Sequence, residues 1–261
     1  TNTDLALTVG SLNNDGGRLE AQHGSLAIGA DFISNTRGQL YATDDLRVTA
    51  GTLTNHDGSA YAMRDVALAL AGGLESSGTL AAARHLGVSA AWIQASPGSH
   101  LAAGLQPDGR LEGDGALTLQ ARSALAAHGQ NLAAGGLSIA ASSLDLSGST
   151  TRARNLTLGA DLLDAHAARL VANGQLQAQI GGHLDSRDAY LSADHLDLSA
   201  ASLDNRGGAL ISSGTRADIS NQCILYQRPR SPSMSPWSPE KTMTVSSARP
   251  VSCSVCRSLP T

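Results

Sequence analysis

The 261-residue chain is only 15% charged and 3% aromatic, yet it carries 28 glycines and a single phenylalanine, Phe32. A compact globule normally fills its core with aromatic side chains, so this composition argues against one. Disorder is excluded too, because 41% of residues are apolar and they recur at regular places.

Charge divides the chain. Up to Ser220 there are 13 basic and 21 acidic residues, a net of −8; beyond it there are 5 basic and 1 acidic, a net of +4. The acidic body makes nucleic acid an unsuitable partner. All three cysteines (Cys223, Cys253, Cys256) and the sole lysine, Lys241, lie in the basic part. A cysteine-free body suits passage through oxidising compartments. No apolar run is long enough for a membrane-spanning helix. The chain opens at Thr1, with no signal peptide, and reads as a piece of something longer.

A unit of about 20 residues recurs from the first residues to Ile219. Its copies begin at Gly10, Asp31, Gly51 and Gly72. The clearest marker is a pair of apolar residues two apart: Leu26/Ile28, Leu46/Val48, Val66/Leu68 and Leu86/Val88, each 20 residues beyond the last. The series resumes at Leu117/Leu119 and continues through Leu137/Ile139, Leu156/Leu158, Leu176/Ala178 and Leu196/Leu198. Period-two alternation is a strand signal. Between strands lie turn residues such as Asn35-Thr36-Arg37-Gly38 and Asn55-His56-Asp57-Gly58, suited to positive φ and tight turns. Each copy is therefore two or three short strands. Frequent glycine makes sustained helix costly, at about 1 kcal/mol each.

The expected fold is all-β: a right-handed parallel β-helix, or solenoid, of about ten 20-residue coils. Coils stacked about 4.8 Å apart would make a rod roughly 50 Å long. Stacking also predicts columns. Ala21, Ala42, Ala62, Ala82, Ala103, Ala134, Ala172 and Ala193 form one, a small inward residue at a tight corner. Residues 101–115 break the period by about 11 residues and read as a protruding loop, with Pro107, Asp108 and Gly109 in its turn.

The repeat body is assigned to residues 1–219. Residues 220–261 hold six of the eight prolines and lack strand alternation, which predicts a disordered tail. The abrupt change of composition fits either a translation-frame change or a native linker.

The pattern L-x-N-x-x-G-x-L-x-A…L-x-L resembles the haemagglutinin repeats of filamentous haemagglutinins and related two-partner-secreted exoproteins, including the stalks of contact-dependent growth-inhibition toxins. Leu12, Asn14, Gly17, Leu19, Ala21, Leu26 and Ile28 carry it in the first copy; Ile33, Asn35, Gly38, Leu40, Ala42, Leu46 and Val48 carry it in the second. The resemblance implies a β-helical shaft at the bacterial cell surface or secreted from it. It also implies an outer-membrane transporter partner, and a role in adhesion or in presenting a distal tip to a receptor or glycan on a host or neighbouring cell. No secretion domain or toxin domain is visible, and no catalytic residue transfers.

The chemistry-bearing residues read mostly as solvated turns. His56, His128 and His166 share a column but do not fall on adjacent coils, so a metal site is not expected. Cys253-x-x-Cys256 is half of a zinc motif with no second half. The body lacks a calcium-binding nonapeptide, and no carboxylate cluster for glycoside chemistry can be assembled. No catalytic, cofactor or metal residue is assigned. Tyr41 and Tyr61 share an outward column, with Trp92 not far along the chain. These tyrosines, together with Pro107 and Asp108, are the candidate binding surface; a cross-strand packing pair is the alternative.

Overall fold

The computed structural model describes residues 4–214 and 217–221. They form stacked coils of parallel strands and contain no helix. Each coil contributes to three ladders around one apolar core. The first face holds the apolar pairs, as in Leu26↔Leu46↔Val66↔Leu86. The second holds one buried residue per coil, as in Ile33↔Leu53↔Leu74↔Ile93. The third is a separate ten-stranded sheet running from Arg18–Ala21 to Ala209–Ser212. Long strands such as Leu26–Ser34 and Leu46–Asn55 turn the corner between the first two faces and join them into one sheet.

Register explains why 20 residues suffice. Within a ladder, strands of successive coils align residue for residue, and slips such as that between Ile180 and His183 fall at the corners, so apolar side chains stack on their own kind. Leu26, Leu46, Val66, Leu86 and Leu117 are all at most 1% exposed. Within one coil the inward set is small, and each layer is completed by the layers above and below.

The alanine column is borne out with one correction. Ala42, Ala62, Ala82 and Ala103 are fully buried on the third face. In the sixth coil, however, Ala133 and not Ala134 pairs with Ala103. The shift comes from Asn131, which takes the inward place held by Leu101 in the coil before.

The turn between the second and third faces also differs from expectation. The positive φ values fall on Gly16, Arg37, Asp57, Gly148, Ala167, Asp188 and Gly207, which share one column. The glycine one place later is needed for another reason. A Cβ on Gly38 would lie 2.1 Å from the Asn14 carbonyl oxygen, and one on Gly58 would lie 2.0 Å from that of Asn35. Close backbone approach, not dihedral freedom, requires glycine there.

The asparagines of these turns point inward. Asn14 Nδ2 donates to Asn35 Oδ1 at 2.8 Å, Asn35 Nδ2 donates to Asn55 Oδ1 at 2.8 Å, and Asn55 Nδ2 reaches Ser76 Oγ at 3.3 Å. Asn35 and Asn55 are fully buried. The ladder gives each buried amide both a donor and an acceptor. It stops where Ala95, Ala127, Leu146 and Ala165 close the same corner with apolar contacts. It resumes as Ser186 Oγ donating to Asn205 Oδ1 at 2.9 Å.

The last described strand is Ala217–Asn221. The expected disordered tail and the Cys253/Cys256 pair lie outside the described residues.

Candidate functional site

The tyrosines lie where the alternation of the third face puts them. Tyr41 pairs with Tyr61 in register, and their rings stack with centroids 6.1 Å apart and planes 17° from parallel. Both are half-buried. Burial pushes the Tyr61 phenol up from its ordinary value, and Tyr41 beside it adds to the shift.

Residues 101–115 divide differently from the sequence reading. His100–Ala103 is a regular strand of the third face, paired on both sides. The chain leaves the coil at Gly104 and returns at Gly115. Both pinch residues must be glycine: Gly104 has φ +80°, and a Cβ on Gly115 would lie 2.2 Å from the Gly104 nitrogen. Between them Leu105 and Leu111 form an antiparallel bridge. Gly109 N–H donates to Gln106 O at 2.9 Å, closing the turn that holds Pro107 and Asp108 at an exposed tip.

The excursion folds back on the shaft. Tyr61 Oη donates to Leu105 O at 3.0 Å, and Gln106 Nε2 donates to Ala83 O at 3.1 Å. Arg154, two coils further on, engages Asp114 and the Gly113 carbonyl. Ala81 and Ala102 sit in outward places of the third face yet are 0% and 2% exposed. Tyr61 and the base of the excursion cover them. The structure thus joins Tyr61, stacked on Tyr41, to the base of the excursion whose tip carries Pro107 and Asp108. Trp92 is not part of it: its strand, Trp92–Ala95, lies on the second face.

The histidine column is as the spacing placed it. His128, Ser147 and His166 occupy successive coils, so a serine separates the two imidazoles. Each histidine faces a carboxylate: His56 Nε2 lies 3.7 Å from Glu75, His128 Nε2 3.0 Å from Asp145, and His166 Nε2 3.8 Å from Asp188. Among the described residues no group of three candidate ligands converges.

One charged array escaped the sequence reading. Asp145, Asp164, Asp185 and Asp204 stack in register on four consecutive coils. Each accepts the backbone N–H two residues on, as Asp164 does from His166 at 2.8 Å and Asp185 from Arg187 at 3.0 Å. The neighbouring column supplies His128, His166, Arg187 and Arg206. The Arg187 side chain holds the Asp185 carboxyl below its usual range, and Arg206 does the same for Asp204. Burial opposes the shift at Asp145, but the N–H and hydroxyl of Ser147, with His128, leave it lowered. The signal was present in the sequence as an Asp recurring one place after the buried leucine of the second face.

Two shallow grooves line the corners. One, of about 620 Å³, runs past Gln120, Arg122, Ser142 and Asp161. The other, of about 450 Å³, lies beneath the excursion beside Arg84, His85, Glu112 and Asp114. Glu112 sits 3.9 Å from Arg110, and Asp114 is held by Arg154. Each of these exposed carboxylates faces an arginine.

The sequence comparisons agree with this architecture. The family model described as haemagglutinin repeat matches residues 1–96, 90–177 and 151–220. The chain is 33% identical over 219 residues to a protein of Yersinia pestis named toxin CdiA, covering 81% of this chain and 7% of that one. It is 38% identical over 112 residues to a toxin CdiA of Escherichia coli, covering 42% of this chain and 4% of that one. A tRNA nuclease CdiA of an Escherichia coli strain is 37% identical over 112 residues, with 3% of its length covered. The chain thus spans less than a tenth of these relatives. No solved structure gives a significant match. The repeated coil, its in-register stacking and the family match along nearly all of residues 1–220 lead to one conclusion: the chain belongs to the haemagglutinin-repeat family.

Proposed function

We propose that these coils are a shaft segment of a large secreted exoprotein, spacing a distal region away from the producing cell. The observation that carries this is the pairing of parallel strands coil upon coil from Leu5 to Asn221, maintained across the excursion and across a register shift between Ile180 and His183. Side chains are spent on the next coil: apolar columns inside, amide and carboxylate ladders at the turns. Such a stack transmits position and does no chemistry of its own. An outer-membrane transporter of the two-partner type is the implied secretion partner. The toxin and nuclease activities in the relatives' names belong to proteins of which this chain spans a few per cent.

The test is made in the intact parent exoprotein. Replacing this segment by an equal number of coils from another haemagglutinin-repeat protein should leave tip-dependent adhesion or target-cell inhibition unchanged. Loss of that activity at constant coil number would contradict a spacer role.

A second reading is favoured by one contact. The Tyr61–Leu105 hydrogen bond joins the tyrosine pair to the excursion, so Tyr41, Tyr61, Pro107 and Asp108 form a composite surface for a receptor or glycan on another cell. Tyr41→Ser with Tyr61→Ser should then abolish cell binding; unchanged binding would leave the pair a packing device.

A further inference from the structure

The second face carries an aromatic platform separate from the tyrosines. Phe32, Thr52, Gly73 and Trp92 occupy one outward column on four successive coils. A Cβ on Gly73 would lie 2.1–2.5 Å from Trp92 Cε2, Cζ2 and Cδ2. Those three atoms belong to the fused benzo ring, so the indole lies flat over Gly73. Gly73 is buried beneath it and Trp92 is half-buried. The indole packs against the Gly73 backbone, and the side chain keeps part of its surface exposed. Phe32, the only phenylalanine, is 63% exposed at the far end of the column.

Polar groups flank this column. On one side, two residues along each strand, lie Thr54, Glu75 and Gln94; Glu75 and Gln94 are exposed. On the other side the exposed Arg122 reaches back to donate to Ala71 O, two residues before Gly73. A guanidinium, a carboxylate and an amide thus stand around a flat ring.

We propose that this face binds a neutral oligosaccharide laid along the shaft axis, with one sugar ring stacked on Trp92. A pyranose offers C–H bonds to an aromatic face and hydroxyls at its rim that both donate and accept. Arg122 supplies donors, Glu75 acceptors and Gln94 both. A protein partner would need about 1,000 Å² of interface or more, whereas this strip is one residue wide and hydrogen-bonding on both sides. Acidic glycans are disfavoured by the net charge of −8 up to Ser220 and by Glu75 on the platform's flank.

The test uses the full chain with Trp237→Phe, so that tryptophan emission reports Trp92. The probes are hexasaccharides of β-1,4-linked glucose and of β-1,4-linked N-acetylglucosamine, with a heparin hexasaccharide as the charged comparison. A saturable emission change with a neutral probe and none with heparin is expected. By calorimetry, Trp92→Ala should weaken binding by about tenfold or more. Arg122→Met with Gln94→Ala, which leaves the core untouched, should weaken it several-fold. No response to either neutral probe, a response to heparin alone, or full affinity in the Arg122→Met, Gln94→Ala variant would overturn the proposal.

Discussion

At the scale of single residues, the turn asparagines do more than begin a turn. Asn35 receives a hydrogen bond from Asn14 and gives one to Asn55, each at 2.8 Å within the core. Asn35→Ala would leave the buried Asn55 Oδ1 acceptor without its donor, at about 1–3 kcal/mol, while Asn14 Nδ2 keeps the Gly17 and Gln39 carbonyls. A clear fall in the urea midpoint is expected, and an unchanged midpoint would show the ladder to be incidental. Glycines divide sharply. Gly58→Ala drives a Cβ onto the Asn35 carbonyl and should destabilise the coil, whereas a Cβ on Gly87 meets nothing within 4 Å. Gly87→Ala should be neutral or slightly stabilising, by up to about 1 kcal/mol. Ala62 is fully buried between Ala42 and Ala82; Ala62→Phe should overpack the third face at a cost of about 1–3 kcal/mol, read from the same denaturation curves. The sequence placed Asn55 and Gly58 at a turn correctly. It could not show that Asn55 points inward, because turn and ladder both select asparagine. Only the register puts one amide above another.

At the scale of the element, the excursion and the charged columns make separate predictions. Gly104 and Gly115 touch, so removing residues 105–114 and joining the two should preserve every strand. Circular dichroism should stay β-type, while the Tyr61 phenol, now raised by burial, should titrate nearer its ordinary value. Collapse of the β signal would mean the excursion is needed for folding. The sequence located this insertion and its Pro107–Gly109 turn, but placed its start at Leu101, which is regular strand. Its folding back was not legible, because Ala81 and Ala102 look like any other alanines until their outward burial is seen. The stacked aspartates predict a pH dependence. Asp185 and Asp204 have folded-state pKa values below the ordinary carboxylate range, held there by Arg187 and Arg206. Their contribution is therefore present above the unfolded carboxylate range, and it is lost as pH falls through the lowered folded values. Melting temperature should decline on acidification below about pH 4. Arg187→Gln with Arg206→Gln should flatten that decline; an identical acid limb would remove the arginines from the account.

At the scale of the molecule, a 20-residue period was enough to reveal the architecture, because a solenoid writes its fold into the sequence once per coil. Leu26, Leu46, Val66 and Leu86 announce a column by spacing alone, and the structure stacks them in register. Faces were harder to assign. Trp92 is not far along the chain from Tyr41 and Tyr61, yet it belongs to a different ladder, since linear proximity says little about which side of a coil a residue occupies. The central claim is that coils add length independently, each by one strand spacing. Thr49 and Gln179 are exposed in one column of the first face, six coils apart. Spin labels at these two positions, with the three cysteines replaced, should report a separation set by coil number. Residues 156–175 make one whole coil, because Leu156 pairs with Leu176. Deleting them should shorten the distance measured by electron–electron double resonance by about 4.8 Å, with the β signal retained; an unchanged distance, or loss of the fold, would contradict the shaft.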